Sequence, residues 1–385
     1  WDVGVHYIGD VGHDSSRMGR LFDHASDGSL EWSPMAEVYD RIVVGDRSYD
    51  LTAGSEAFTA GLKDAFPDES AAIERYVELV RLVPRKAGLF FAEKAVPPFV
   101  ATLFGGLMRR PYLRWARRTT REVLEELTSN LELIGVLTGQ WGDYGLPPGR
   151  SSFGIHAQVV RHYMWGACYP VGGSSAFARS MAPVIESTGG TVIYQADVTE
   201  IVVQDGRATG VRLADGRELS APAVISDAGL HNTYLRLLPE EIAAGLGLQT
   251  TASTVHPSTA HLCLYAGFRK TSEELGLGTT NLWLYPGPHH DDNVARFVDD
   301  TSQPLPVVYA SFPSAKDPTF EERCPGRATI ELITLASFEE FKPWLDTEWR
   351  ERGEEYEALK EGYARRMLAR LDEHLPGLVD QIDYY

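Results

Sequence analysis

TVIYQADVTEIVVQDGRATGVRLADGRELSAPAVISDAG, residues 191–229, decides the fold. Its β-branched runs are separated by Asp205-Gly206 and Asp215-Gly216. Asp-Gly between alternating apolar segments marks a tight hairpin, because the turn demands positive φ that few residues tolerate. The pattern predicts one strand, a three-stranded meander, and a return strand ending near Ser226. Just upstream, SSAFARSMAPVIEST sets Phe177, Met181 and Ile185 four apart, a helical period. Ser174 or Ser175 would cap its start and Gly189 its end, with Pro183 kinking it. A helix leading into strands points to a mixed α/β fold.

Working outward, PDESAAIERYVELVRLVPR from Pro67 has Ile73, Val77 and Val80 at helical spacing, and Pro84 is expected to end it. A further amphipathic helix is expected over TREVLEELTSNLELIGVL. Downstream, TAHLCLYAGF, NLWLYP, PVVYASFP and ATIELITLASF read as strands of a second sheet. Tyr356, Leu359, Tyr363, Met367 and Leu371 mark one face of a last helix, stopped at Pro376-Gly377. Helical and strand regions alternate along 385 residues, so two discontinuous domains are expected.

The chain is 43% hydrophobic and 23% charged, enough for a sizeable core. A net charge of −18 repels a phosphate backbone, so nucleic acid is excluded as a natural partner. Cys168, Cys263 and Cys324 lie far apart without CxxC spacing, which fits a reducing cytoplasm rather than a disulfide framework or zinc site. His289, His290, Asp291 and Asp292 could bind a metal, but four adjacent residues more often form a solvated loop, and no metal is expected.

Three segments carry chemistry. WDVGVHYIG sets His6 and Tyr7 among glycines, where a backbone can approach a flat ligand closely or simply turn tightly. YPVGGSSAF puts Gly172 and Gly173 before a helix start, whose free N–H groups suit a phosphate or polar cofactor atoms. It imitates a hydrolase nucleophile elbow at Ser174, but Ala176 stands where that motif has glycine, and no strand is evident before it. AVPPFVATLFGGLM, 95–108, lacks charge and is too short to span a bilayer. Arg109, Arg110, Arg114, Arg117, Arg118 and Arg121 follow it, interleaved with Tyr112 and Trp115. An apolar wedge beside arginines suits peripheral membrane contact through 95–121, against the plain alternative of a buried helix with a basic face.

Taken in order, WDVGVHYIG, WGDYGLPPGRSSFGIHA, HYMWGACYPVGGSSAFA, the meander through VISDAG, and FPSAKDPTF resemble the retinol saturase branch of the phytoene desaturase-like flavoproteins over nearly the whole chain. The resemblance implies the two-domain fold of the flavin-dependent amine oxidases. Residues 1–30 would edge the FAD-binding domain, 31–170 form a helical region facing substrate and membrane, 171–235 return to the FAD-binding domain, and 236–385 supply the substrate sheet and last helix. It implies FAD as cofactor and a hydrophobic isoprenoid or polyene as substrate, saturated, desaturated or isomerised at a carbon–carbon double bond. Gly4, His6, Tyr7, Gly172, Gly173, Val198, Ser226 and Asp227 match cofactor-facing positions, and His6 and Tyr7 are the candidate catalytic groups. The family's G-x-G-x-x-G turn and its second glycine-rich flavin segment are not found here, so the sequence is expected to be the middle of a larger flavoenzyme that holds FAD weakly by itself. A lipid-binding or membrane-docking protein without flavin, and a flavin amine oxidase, are the competing readings.

Overall fold

In chain order the first strands are β1 (Ile8–Gly9), β2 (Trp32–Pro34), β3 (Val38–Val44), β4 (Arg47–Thr52) and β5 (Ala167–Pro170). They are followed by β6 (Val198–Gln204), β7 (Arg207–Leu213) and β8 (Glu218–Ser220). The last are β9 (Ala260–Phe268), β10 (Asn281–Tyr285), β11 (Val308–Ser311), β12 (Ala328–Ala336) and β13 (Ile382–Tyr384). The computed structural model describes residues 4, 6–13, 16–255, 259–348 and 350–385. They divide into two units, one from 1–184 with 259–385 and one from 185–258.

The larger unit is organised by a seven-stranded mixed sheet in the order β13-β9-β12-β11-β10-β3-β4. The four strands expected downstream form its centre. The β3–β4 hairpin was not anticipated, although VYDRIVV-Gly45-Asp46-RSYDLT carries the signal, with Gly45 at φ +63. A register shift between Val38 and Asp40 lets Tyr39 and Asp40 both be buried. The Gly353–Asp372 helix packs Tyr363, Met367 and Leu371 into the core, as its spacing indicates. A small sheet, β1-β5-β2, joins the opening segment to Ala167–Pro170.

A satellite core lies among the helices. Leu79, Val83, Ala87, Tyr112, Val123, Phe153 and Ala157 form it. It explains why the helix from Ser70 runs on to Ala92 through Pro84 rather than ending there. An interior proline costs about 3 kcal/mol, but Val83 and Ala87 on either side of it are buried and keep both halves docked. The stretch after Thr119 is two helices, Thr120–Glu125 and Leu131–Leu137. Asn130 caps the second by accepting from the Glu132 and Leu133 N–H groups.

In the smaller unit the meander forms as the sequence indicates, β6 pairing β7 and β7 pairing β8. Asp205 and Gly206 both take positive φ, 50° and 73°, as a two-residue turn requires. The flanking strands do not form. Gln195 at φ 53 breaks 191–196, and neither that run nor 221–226 forms a strand, although the Ala221 N–H still donates to the Thr209 carbonyl at 2.9 Å. Tyr194 and Ile225 are exposed.

Candidate functional site

A strand register places side chains of paired residues on one face, and across the large sheet this produces a polar row. Asp40 of β3 pairs Asn281 of β10, Ser311 of β11 pairs Glu331 of β12, and Glu331 pairs Tyr265 of β9. The pair Leu282↔Ala310 sets Asn281 beside Ser311 and completes the row. The next row on that face is Ile42, Trp283, Tyr309, Ile333 and Cys263. A line of polar groups thus crosses the centre of the sheet, bordered by aromatic and aliphatic side chains.

The opening segment and the FPSAKDPTF motif close over this row. Tyr7 stacks on Tyr163 at 4.3 Å and lies over Tyr309 at 6.5 Å. Its hydroxyl donates to Asp40 Oδ2 at 2.9 Å. Asp40 also accepts from Gln140 at 2.8 Å and Asn281 at 2.9 Å. Lys316 Nζ donates to the His6 carbonyl at 2.8 Å, to Ser311 Oγ at 2.7 Å, and to Asn281 Oδ1. The ammonium also lies over the Tyr7 and Tyr169 rings. Lysine therefore ties the His6 backbone to the sheet.

Burial dominates the electrostatics. It lowers Lys316 to about 7, against the pull of Asp40 and Glu331. It raises Asp40, although hydrogen bonds from Asn281, Tyr7 and Gln140 oppose it. It raises Asp143 still further, helped by the neighbouring Asp40 charge, so that carboxyl stays protonated far above the ordinary range. The Tyr7 phenol is held neutral for the same reason.

His6 faces Glu331. Its Nδ1 lies 3.1 Å from Glu331 Oε2, and its ring meets Tyr309 edge-on at 5.3 Å. Glu331 is 1% exposed, and neither of its carboxylate oxygens has an aligned hydrogen bond among the described residues. His6 Nδ1 is sealed while its side chain keeps 24% exposure, so the accessible part of the ring is the part away from Glu331. This is a carboxylate–imidazole pair with one edge open, the arrangement that lets a histidine hand over or take up a proton.

Gly172 and Gly173 follow β5 directly, at φ +86 and +79, and precede the Ala176–Ser187 helix. The strand that the sequence did not reveal before Ser174 is therefore there. The Gly172 N–H donates to Asp317 Oδ1 at 3.0 Å, which links this turn to the lysine motif. Burial opposes the Asp317 charge, but the N–H groups of Gly172 and Thr319 and the Arg323 guanidinium outweigh it and hold the carboxyl low. Gly4 has φ +86, and open space where a Cβ would stand. Val198 opens β6 opposite Leu213, Ser226 bonds Thr233, and Asp227 is exposed, all in the smaller unit. His6, Tyr7, Gly172 and Gly173 thus belong to one connected assembly through Lys316 and Asp317.

Asp40, Asn281, Lys316, Glu331 and Asp143 were not singled out from sequence. The signal was there: a charge inside VYDRIVV and another inside ATIELITLA, both in strands otherwise buried. His290, by contrast, is buried and donates Nε2–H to the Gly135 carbonyl, as part of the core. It opens the His290–Asp299 helix instead of lying in a loop.

No family model matches the chain. It is 34% identical over 400 residues to the all-trans-retinol 13,14-reductase of Danio rerio, covering 100% of this chain and 66% of that protein. The chain thus spans about two thirds of that relative's length. It is 25% identical over 351 residues to prolycopene isomerase 1 of an Oncidium hybrid cultivar, covering 87% of the chain and 54% of the relative. An oxidoreductase structure from Methanosarcina mazei superimposes with a TM-score of 0.56 at 14% identity, over 97% of this chain and 73% of that one.

Proposed function

The chain belongs to the retinol saturase branch of the phytoene desaturase-like flavoproteins, which share the amine oxidase fold, and on that premise we propose that it acts on a carbon–carbon double bond of a polyene lipid. The substrate class is retinoid- or carotenoid-like, and the reaction a saturation, desaturation or isomerisation. The observation that carries the reading is the buried polar row with the half-open His6–Glu331 pair above it, in a chain similar along its whole length to a retinol reductase.

The residues present fit a flavin. The Gly172–Gly173 turn offers positive-φ backbone before a helix start, and Gly4 leaves room for a flat ring. Gly4, His6, Tyr7, Gly172 and Gly173 would hold FAD in the larger unit. When bound, FAD supplies the hydride equivalent of double-bond chemistry. The chain's own groups do the rest. The accessible edge of His6 delivers the proton that saturation requires, and Glu331 orients the ring. Lys316 holds the His6 carbonyl, and Asp40 holds the Tyr7 hydroxyl. The row of Trp283, Tyr309 and Ile333 excludes water and lies against the apolar chain of the substrate.

Polyenes partition into membranes, and the same reading gives the Pro98–Ala116 helix a role. Phe99, Leu103, Phe104 and Leu107 are 68%, 73%, 54% and 71% exposed along it. Arg110, Arg114 and Arg117 are exposed beyond them, whereas Arg118 and Arg121 are engaged with Glu126 and Glu125. No helix of the described residues is long and apolar enough to cross a membrane. On this reading the stripe dips into the membrane interface, and its arginines meet anionic headgroups.

The test is anaerobic incubation of the flavin-loaded protein, with reductant, against all-trans-retinol and a cis-carotene. Saturation shortens the conjugated system, shifts absorbance to shorter wavelength and adds two mass units. Isomerisation changes retention without changing mass. Unaltered polyenes in the presence of bound flavin would refute the reading.

A further inference from the structure

A cavity of about 780 Å3 has none of the residues of the polar row in its lining. Asp10 and His13 line it after β1, and Arg17 from the first turn of the Arg17–Ser26 helix. Pro84 and Arg85 come from the middle of the Ser70–Ala92 helix. Gln158, Arg161, His162 and Trp165 come from the end of the Phe153–Tyr163 helix and just beyond it.

Its charge is out of keeping with the molecule. Three guanidiniums face one cavity in a chain of net charge −18. None of the three makes an ion pair among the described residues, whereas Arg41, Arg118, Arg212 and Arg323 do. The one acid in the lining, Asp10, is hydrogen-bonded to His13 at 3.0 Å. His162 accepts the Gly9 N–H at Nε2, 2.9 Å away, so the proton of its neutral ring sits on Nδ1. Guanidiniums sharing one cavity repel one another unless an anion joins them, and their planar forks match the oxygens of a phosphate.

The cavity also borders apolar surface. Arg85 is one helical turn before Leu89, which is 54% exposed. Trp165, 48% exposed, stands at the rim, an amphipathic ring of the kind found at membrane interfaces. A guanidinium-lined cavity beside exposed leucine and tryptophan suits a ligand with an anionic head and an apolar tail. We infer that this cavity binds the phosphate of a membrane lipid headgroup, seated by Arg17, Arg85 and Arg161. The inference deepens the membrane contact proposed above and rests on it. It adds a specific headgroup pocket to the diffuse attraction of Arg110, Arg114 and Arg117.

Two measurements test it. In solution, the intact chain is titrated by calorimetry with dioctanoyl phosphatidate below its aggregation concentration, and separately with inorganic phosphate. Binding of the short-chain lipid is expected, weakened at least about tenfold in Arg85→Gln/Arg161→Gln and unchanged in the control Arg75→Gln, a loss of about 1.4 kcal/mol or more. Inorganic phosphate should bind more weakly than the lipid. Equal binding of the two would identify a free-phosphate site and overturn the lipid assignment, and no binding of the lipid by wild type would overturn the site. On vesicles, wild type should prefer phosphatidylcholine containing phosphatidate over phosphatidylcholine alone, and the double variant should lose that preference while still floating on phosphatidylcholine. Wild type that floats on neither vesicle but still binds the short-chain lipid would refute the membrane contact and leave the cavity a site for a soluble phospholipid. A double variant with the full preference would refute the pocket.

Discussion

The polar row across the sheet and the stripe on the Pro98–Ala116 helix invert the usual partition in opposite senses. One buries ionisable groups: Asp40, Lys316 and Glu331 are 0%, 2% and 1% exposed. The other leaves leucines 71% and 73% exposed. Scattered exposed apolar residues are ordinary, and so are buried polar groups with every bond made. Here the buried row has a carboxylate with no aligned hydrogen bond, and the exposed residues recur along one helix face. Their costs differ. A buried ion without its partner costs folding free energy, whereas an exposed apolar stripe costs little until a surface arrives to cover it. The first inversion should therefore be read out in stability and turnover, the second in association.

The largest effect expected is on the row. Lys316→Met leaves Asp40 and Glu331 without their cation, and the loss should be about 3–5 kcal/mol in denaturant unfolding. A loss within about 0.5 kcal/mol would mean that the row is not electrostatically coupled, and the contrast between the two regions would collapse.

Burial by itself does not mark the site, and acid separates the cases. Burial lowers His156 to about 3 and His290 to about 4. Tyr76 and Tyr144 occupy the two ring nitrogens of His156. The unfolded chain takes up these protons near pH 6.5 and the folded chain does not, so the stability they confer is complete above pH 6.5 and is lost as pH falls toward 4 and 3. Unfolding free energy should fall by a few kcal/mol between pH 6.5 and 4. In His290→Asn that acid slope should be visibly shallower. An unchanged slope would show that His290 is protonated in the folded state.

The stripe should behave in the reverse way. Phe104→Asp should weaken flotation with neutral vesicles, and Arg109, Arg110, Arg114 and Arg117 changed together to Gln should release the protein from anionic vesicles at moderate salt. Each basic residue near such a surface contributes on the order of 1 kcal/mol. Arg365→Gln, on the last helix, should do nothing. None of these should shift unfolding by more than about 0.5 kcal/mol. Undiminished flotation of the quadruple variant would make the helix an ordinary surface element.

The smallest effect concerns the turn. Gly173→Val meets a φ of +79 that valine tolerates poorly, so a loss of about 1–3 kcal/mol is expected. Flavin retention should suffer more than folding, and full flavin occupancy in the variant would make the turn merely structural.

What could be read in the sequence follows periodicity. The meander, the central strands of the large sheet and the last helix all alternate or recur cleanly. Pro84 misled because a proline's local cost is visible in sequence and the packing of Val83 and Ala87 is not. The strand expected before the meander misled because apolar composition does not reveal that Gln195 turns left-handed. His6 and Tyr7 were found through their glycine-rich setting. Their partners were not, because Asp40, Asn281, Ser311 and Glu331 are hundreds of residues apart in places and meet only through strand register. Lys316 lay inside a motif that was recognised, but its direction depends on the short helix Pro313–Lys316 turning it back onto β11.

The central claim is that His6, oriented by Glu331, gives a proton to a polyene double bond. Single-turnover loss of polyene absorbance by the flavin-loaded His6→Ala variant tests it most directly, with and without imidazole in the buffer. The account predicts a turnover lower by about 10²–10³-fold at unchanged flavin content, and partial recovery when imidazole fills the space. Wild-type turnover in the variant, or loss that imidazole does not relieve while flavin and fold are intact, would contradict it.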